Sequence, residues 1–400
     1  MATIRSDNPE TKDVLTRIRK LISKNGGALN PGIEIISSDG YLSVNSKLER
    51  GNHDQLIYVS PACLPFVDDF ELSLDGDLIR GKPLVQNSPS RLHIKTMNLM
   101  IELYNLTGKI KEHRDSIPAI ALINSPLLLD HLYKGGQYQP ENNNFQGTDQ
   151  EIVKSFMNSR VSDFVEDGKI KGVVMPIIDL FNHHQGAFYY NKKNDVDYSG
   201  ISVFNSKPLM DSDECFVRYN HDCDALGLFI IYGFVDSTTT IVRSVPISIE
   251  LGNIGCIKIN RIATPVIPPE SLPPGARDLN KYFPHINQIN KSTIEISSLI
   301  IPSYNGLDSL RRILAILIKI LAPNMPGADL NKIIFNTENS ILKANAAYYS
   351  ELQELATNSL NAGHISPRVA ETLTLLAETQ LSKLSDYRMR MTSRPWCEKI

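Results

Sequence analysis

The sequence predicts an α+β protein: a β-rich portion split by a helical insertion, followed by a helical C-terminal domain. Three observations carry this expectation. Short apolar runs alternate with turn signals from about Ile33 to Val85 and return from Val173 to about Leu251. Between Ser88 and Ser159 the apolar spacing becomes helical, and five prolines between Pro265 and Gly275 precede a region of three-to-four spacing. Period-two alternation suits half-buried strands and three-to-four spacing suits amphipathic helices, while clustered prolines remove backbone donors and stiffen a linker.

Taken in order, Asp7-Asn8-Pro9-Glu10 reads as a helix start with proline in the first turn, and Leu15, Ile18 and Ile22 share a face until Gly26-Gly27. This is an N-terminal helix within residues 1–30. Ser38-Asp39-Gly40 and Asp75-Gly76-Asp77 read as turns between strands. Leu92 to Leu106 and Ser125 to Tyr133 read as helices, with a polar loop from Gln137 to Thr148. The β-rich domain is therefore expected over 31–265 with its insertion at about 88–159, and the helical domain over 276–400. In the latter, Leu307 to Leu321, Thr337 to Leu360 and Ser366 to Met391 are the expected helices, with Gly363 closing the second and Ser366-Pro367 opening the third.

Four hundred residues exceed what one core usually organises, so at least two domains are expected. A content of 42% hydrophobic and 21% charged residues is ordinary for a globular protein, and a net charge of −3 argues against nucleic acid as a partner. The five cysteines form no C-x-x-C pair and the N-terminus lacks a signal-peptide pattern, which points to an intracellular, cytoplasmic location. Ile313 to Leu321 is too short to span a bilayer and is broken by Lys319, so no membrane segment is expected.

Polar side chains interrupt buried-looking apolar runs at two places: Asp179-x-x-Asn182-His183 within VVMPIIDLFNHH, and Tyr219 and Tyr232 around ECFVRYN and ALGLFIIYGFV. Such residues must satisfy hydrogen bonds inside a core, which marks them as candidates for chemistry. Asp179, Asn182, His183, Tyr219 and Tyr232-Gly233-Phe234, in that order, resemble the SET-domain methyltransferases, in particular the Rubisco large-subunit lysine methyltransferase branch with its helical C-terminal domain. Ser159-Arg160 is similar to the Ser-Arg upstream of the branch's N-H motif. Ser38-Asp39-Gly40-Tyr41-Leu42, Lys47-Leu48-Glu49-Arg50-Gly51 and Leu56 to Pro61 look like its opening hairpin, basic turn and strand, although Ser60 intervenes in the strand motif and the hairpin has Gly40 where the family often has two glycines.

The resemblance implies a SET-type β-fold and S-adenosylmethionine-dependent methylation of a protein side chain, lysine first and histidine second. A degenerate SET module that only binds a protein is the non-enzymatic alternative. By the same resemblance, Tyr232 stands at the methyl-transfer pore and Tyr219 lines the acceptor channel. Gly40, Tyr41, Leu42, Asn182 and His183 hold the cofactor, and Arg160 meets its carboxylate. Backbone carbonyls of Ser159, Arg160 and Asp179 orient the acceptor amine. Aromatic walls suit a lysine acceptor because desolvation beside a sulfonium disfavours the ammonium form. Asp179, His183, His184 and His221 have ligand-forming side chains, but their spacing matches no recognised metal site, and no metal is expected. Because the C-terminal helices carry no convergent catalytic set, they are expected to dock the protein substrate.

Overall fold

A computed structural model describes residues 2–48, 54–136, 147–166, 169–192, 200–206, 209, 213–219, 223–261, 272 and 274–392. The chain forms two compact units, one of Met1–Ser116 with Gln146–Asp222, the other of Ile117–Phe145 with Cys223–Ile400. Glu49-Arg50-Gly51, residues 137–146, His221 and most of the proline-rich segment, singled out above, lie outside the described residues.

In the first unit the helix Pro9–Lys24 starts where the sequence places it. The Asn8 side chain accepts hydrogen bonds from the amides of Glu10 and Thr11, satisfying two orphan donors of the first turn. Its buried face comprises Val14, Leu15, Ile18, Leu21 and Ile22. Strand Thr3–Ser6 runs parallel to Ile33–Ser38, which turns back into Tyr41–Ser46. The two-residue turn has Asp39 at φ 49° and Gly40 at φ 78°, left-handed at both central positions as a tight hairpin turn requires. Asp7 holds the turn from outside: its carboxylate accepts from the Asp39 amide (2.7 Å) and the Ser38 hydroxyl (3.2 Å), and the backbone donor at Asp39 leads in lowering its pKa.

A four-stranded sheet in the order Asn191–Lys192, Ile201–Phe204, Gln55–Val59, Ala28–Leu29 lies in the same unit. Two antiparallel hairpins join it, Phe70–Asp75 with Leu78–Pro83 and Val161–Glu166 with Lys169–Val174. The helices Arg91–Leu106, Lys109–Ser116 and Asp149–Asn158 belong here too, the last opened by a capping box between Thr148 and Glu151. One apolar core gathers Leu15, Ile35, Val44, Ile57, Met100, Phe156, Val174, Phe181 and Val217, so the strands around the Asp179 segment are anchored in the unit's interior.

The second unit joins five longer helices, Pro126–Gly135, Ala225–Tyr232, Ser309–Leu321, Gly327–Asn361 and Pro367–Thr392, to a β-layer. Its sheet has the order Ile247–Glu250, Cys256–Asn260, Thr293–Ser297, His285–Asn290, and Ile241–Arg243 pairs with Ile300–Pro302. Three of these strands, between 285 and 302, occupy sequence expected to be chiefly helical. The TIEIS run alternates buried and partly buried residues, a period-two signal that the long helical stretches after it overshadowed. Among the described residues no helix is long and apolar enough to cross a membrane.

Candidate functional site

Three segments distant in sequence meet in the first unit through side-chain hydrogen bonds. Asn182 and His183 form a short strand parallel to Phe216–Val217, while Cys215 donates its amide to Val44 of the hairpin strand (2.7 Å). This pairing brings the Asn182 amide nitrogen to the Tyr41 hydroxyl (2.8 Å), the Leu42 carbonyl (3.3 Å) and a Glu214 carboxylate oxygen (2.6 Å). The Tyr41 hydroxyl in turn donates to Glu214 at 3.1 Å. Burial, followed by the Glu214 charge, pushes the Tyr41 phenol up to about 12. Tyr41, Leu42 and Asn182 are therefore one cluster, and Glu214 is a fourth member that the motif reading missed.

Gly40 has two reasons to be glycine. Its φ of 78° is left-handed, and a Cβ there would stand 2.9 Å from the Thr107 carbonyl oxygen. The backbone at the hairpin tip therefore approaches the end of the helix Arg91–Leu106 more closely than a side chain allows.

His183 and Tyr219 interlock. The Tyr219 amide donates to His183 Nδ1 at 3.0 Å, which assigns the proton of the neutral ring to Nε2, and the two rings lie 5.2 Å apart. The Tyr219 hydroxyl donates to the Phe181 carbonyl at 2.7 Å. Its ring is thus held from both ends, backbone and hydroxyl, beside the Asn182 strand.

Behind this cluster lies a charged pair. Asp179 Oδ2 accepts from Arg160 Nη1 (3.2 Å) and from the Tyr104 hydroxyl (3.0 Å), and the Arg160 guanidinium lies over the Phe156 ring at 4.6 Å. Burial pushes the Asp179 carboxyl up, opposed by the Arg160 charge, and pushes the Tyr104 phenol up as well. Arg160 spends part of its fork on Asp179, and Ser159 spends its hydroxyl on the Phe156 carbonyl at the helix end (2.8 Å). Asp179, considered above as a metal ligand, has the guanidinium and the phenol as partners.

The turn entering this segment is strained. Ile177, β-branched and fully buried, has φ 66° and ψ −38° and precedes the single helical turn Ile178–Leu180 that carries Asp179. A bulky residue in this region costs roughly 1–3 kcal/mol and persists only where packing fixes it, as is common at functional sites.

Tyr232 belongs to the second unit, where it is the last residue of the helix Ala225–Tyr232. Ala225 to Ile230 are all buried, Tyr232 is half-buried, and its ring lies 6.0 Å from that of Phe234. Gly233, at φ 76°, closes the helix by donating its amide to the Phe229 carbonyl. The other end is capped by Asp224, a fully buried carboxylate that accepts from Gly227 N (3.0 Å), Arg243 N (2.9 Å), Arg261 Nη2 (2.8 Å) and Gln380 Nε2 (3.1 Å). Strand, loop and C-terminal helix are thus tied to the mount of Tyr232.

No family model matches the chain, and no curated protein matches it in sequence. Among solved structures it is similar to the SET domain of LSMT bound to methyllysine and AdoHcy, at 14% identity and a TM-score of 0.43 over 95% of this chain and 91% of that one. It is also similar to Rubisco LSMT bound to AdoMet, at 12% identity and a TM-score of 0.41 over 94% and 90%. Likeness at this level leaves the side chains to carry any functional reading.

Proposed function

We propose that the chain is a SET-type methyltransferase that uses S-adenosylmethionine to methylate a protein lysine side chain. The observation that supports this reading most is the union of the hairpin end, Tyr41 and Leu42, with Asn182, in the same unit where His183 locks Tyr219. These are the segments that the sequence resemblance assigns to the cofactor and the acceptor channel. The donor set fits an adenosyl and amino-acid ligand. Every hydrogen bond described for the Asn182 side chain runs through its nitrogen, which leaves Oδ1 to accept, and His183 adds an imidazole that can meet a purine edge.

When bound, the cofactor supplies a sulfonium methyl for in-line displacement, so the chain's own task is positioning. Gly40, Tyr41, Leu42, Asn182 and His183 hold the donor side. Tyr219 presents an apolar ring whose position is fixed by its two hydrogen bonds, suited to desolvating an amine and favouring its neutral form. Tyr232, by resemblance, orients the acceptor with its hydroxyl. By resemblance, Arg160 meets the cofactor carboxylate and the backbone carbonyls of Ser159, Arg160 and Asp179 orient the acceptor amine, while the Arg160–Asp179 pair steadies the turn that leads to Asn182.

Isothermal titration of the full chain with S-adenosylmethionine tests the cofactor, and transfer of labelled methyl into a protein extract, followed by residue mapping, tests the acceptor. Binding with label on lysine supports the reading. A folded chain that binds no cofactor at millimolar concentration, with or without extract, overturns it.

A further inference from the structure

We infer that Tyr104 is a positioning residue that aims the Arg160 guanidinium at the carboxylate of the bound cofactor, an inference that rests on the methyltransferase reading above. Tyr104 belongs to none of the motif positions that suggested that reading. It lies in the helix Arg91–Leu106 and is 1% exposed. Its hydroxyl donates to Asp179 Oδ2 at 3.0 Å, the same oxygen that accepts from Arg160 Nη1 at 3.2 Å. Helix, turn and guanidinium therefore meet on one atom.

Ring packing holds the guanidinium as well. Its carbon lies 4.6 Å from the centre of the Phe156 ring and 5.5 Å from that of Tyr104. Phe156 is pinned in turn: the Tyr104 and His113 rings stand nearly perpendicular to it, at 84° and 90°, with centroids 5.2 and 5.4 Å away. His113 is tied to the Ser155 hydroxyl (3.1 Å), and burial, followed by the Arg160 charge, keeps its imidazole neutral at neutral pH, so it sets no second cation against the guanidinium. Aromatic faces hold a guanidinium without using its N–H donors. The described hydrogen bonds of Arg160 run through Nη1 alone, and Nε is buried with no acceptor among the described residues. The Arg160 side chain is 21% exposed against 8% for Asp179, so the arginine is the member of the pair that can reach a ligand. A planar fork with donors to spare suits a carboxylate. Tyr104 keeps that fork from closing on Asp179, because its hydroxyl already occupies Oδ2. Without the hydroxyl, Oδ2 is open to a second bond from the fork, which would turn it away from the cofactor. A tyrosine that only filled the core would leave the guanidinium's aim unchanged, so dependence on Arg160 is the property to test.

The experiment titrates two probes into the full chain, S-adenosylhomocysteine, which carries the α-carboxylate, and 5′-methylthioadenosine, which lacks it, at a temperature where each variant is folded. Tyr104→Phe keeps the ring and removes the hydroxyl. The expected result is about a tenfold or greater loss of affinity for S-adenosylhomocysteine, corresponding to ~1.4 kcal/mol, with affinity for 5′-methylthioadenosine unchanged. Phe156→Leu, which takes the ring from the guanidinium and leaves the Tyr104 hydroxyl, should give the same split between the probes. In an Arg160→Met background, Tyr104→Phe should cost less than about twofold more, because a residue that acts through Arg160 has nothing left to aim. Equal losses on both probes, no loss on either, or a fully additive loss in the Arg160→Met background would overturn the role of Tyr104 while leaving the cofactor reading standing. Failure of the unmutated chain to bind either probe would overturn both.

Discussion

Asp224→Asn is the substitution that most directly tests how the second unit holds the helix ending in Tyr232. The native carboxylate is fully buried and faces Arg261, whose side chain is 1% exposed. It accepts from Gly227, Arg243, Arg261 and Gln380 at 2.8 to 3.1 Å, so both oxygens are saturated with donors. An amide in its place keeps one acceptor oxygen but turns an NH₂ toward two donors, and it leaves the Arg261 charge without its carboxylate. Breaking a buried ion pair by removing one partner costs about 3–5 kcal/mol, most of it from the uncompensated charge. For a unit of this size the melting temperature should fall by roughly 6–20 °C at ~2–4 °C per kcal/mol. In a cycle with Arg261→Met, the two losses should be non-additive by about 0.5–3 kcal/mol. Denaturant unfolding followed by circular dichroism, with the slope checked for constancy, reads these quantities. An Asp224→Asn protein whose unfolding free energy lies within about 1 kcal/mol of the parent would refute the reasoning.

Burial, followed by the nearby Arg160 charge, depresses the His113 imidazole from 6.5 to about 3. Because the unfolded chain then binds the extra proton below pH 6.5, stability is full above that value and falls as pH drops toward 3, by at most ~1.4 kcal/mol per pH unit; His113→Gln should flatten this slope in pH-dependent melts. Gly40→Ala should cost more than Gly76→Ala in thermal unfolding, since both glycines have left-handed φ, worth about 1–2 kcal/mol, but only at Gly40 would the Cβ also meet a backbone oxygen. Tyr232→Phe should lower methyl transfer about tenfold or more, ~1.4 kcal/mol of transition-state stabilisation, while cofactor affinity and melting temperature hold; an unchanged rate would remove the hydroxyl from the mechanism.

Local chemistry made much of this architecture legible in sequence. The Asn8 cap, the Asp39-Gly40 turn, Gly233 and Gly363 after helices, and Ser366 bonding the Val369 amide are all short-range devices whose partners lie within a few residues. The strands between 285 and 302 were harder, because short strands beside long amphipathic helices give little periodic signal. In the candidate site, Tyr41, Leu42 and Asn182 could be named as a group only through their order along the chain, since nothing local says that residues some 140 positions apart share a hydrogen bond. Ile177 shows the opposite limit: an isoleucine gives no hint in sequence of a left-handed backbone, which tertiary packing imposes against its local preference.

Asp224 and Glu214 explain why the same kind of residue can be invisible in sequence and central in the fold. Each is an acidic side chain in a polar-looking connector, DSDECF and NHDCDALG, where composition alone predicts a solvated loop. What distinguishes them is the number and origin of the donors they meet. Asp224 collects donors from its own helix, from Arg243 and Arg261, and from Gln380, 156 positions away, whereas Glu214 meets Tyr41 and Asn182. A carboxylate saturated by donors inside a core serves as a rigid node, because any motion breaks several bonds at once. Glu214 is half-buried and joins an amide and a phenol from two segments far apart in sequence. Through Gln380 the C-terminal helix Pro367–Thr392 helps fix the start of the helix that ends in Tyr232, so Gln380→Leu should weaken that mount without touching any residue assigned to the cofactor, read as a lower melting temperature of the variant.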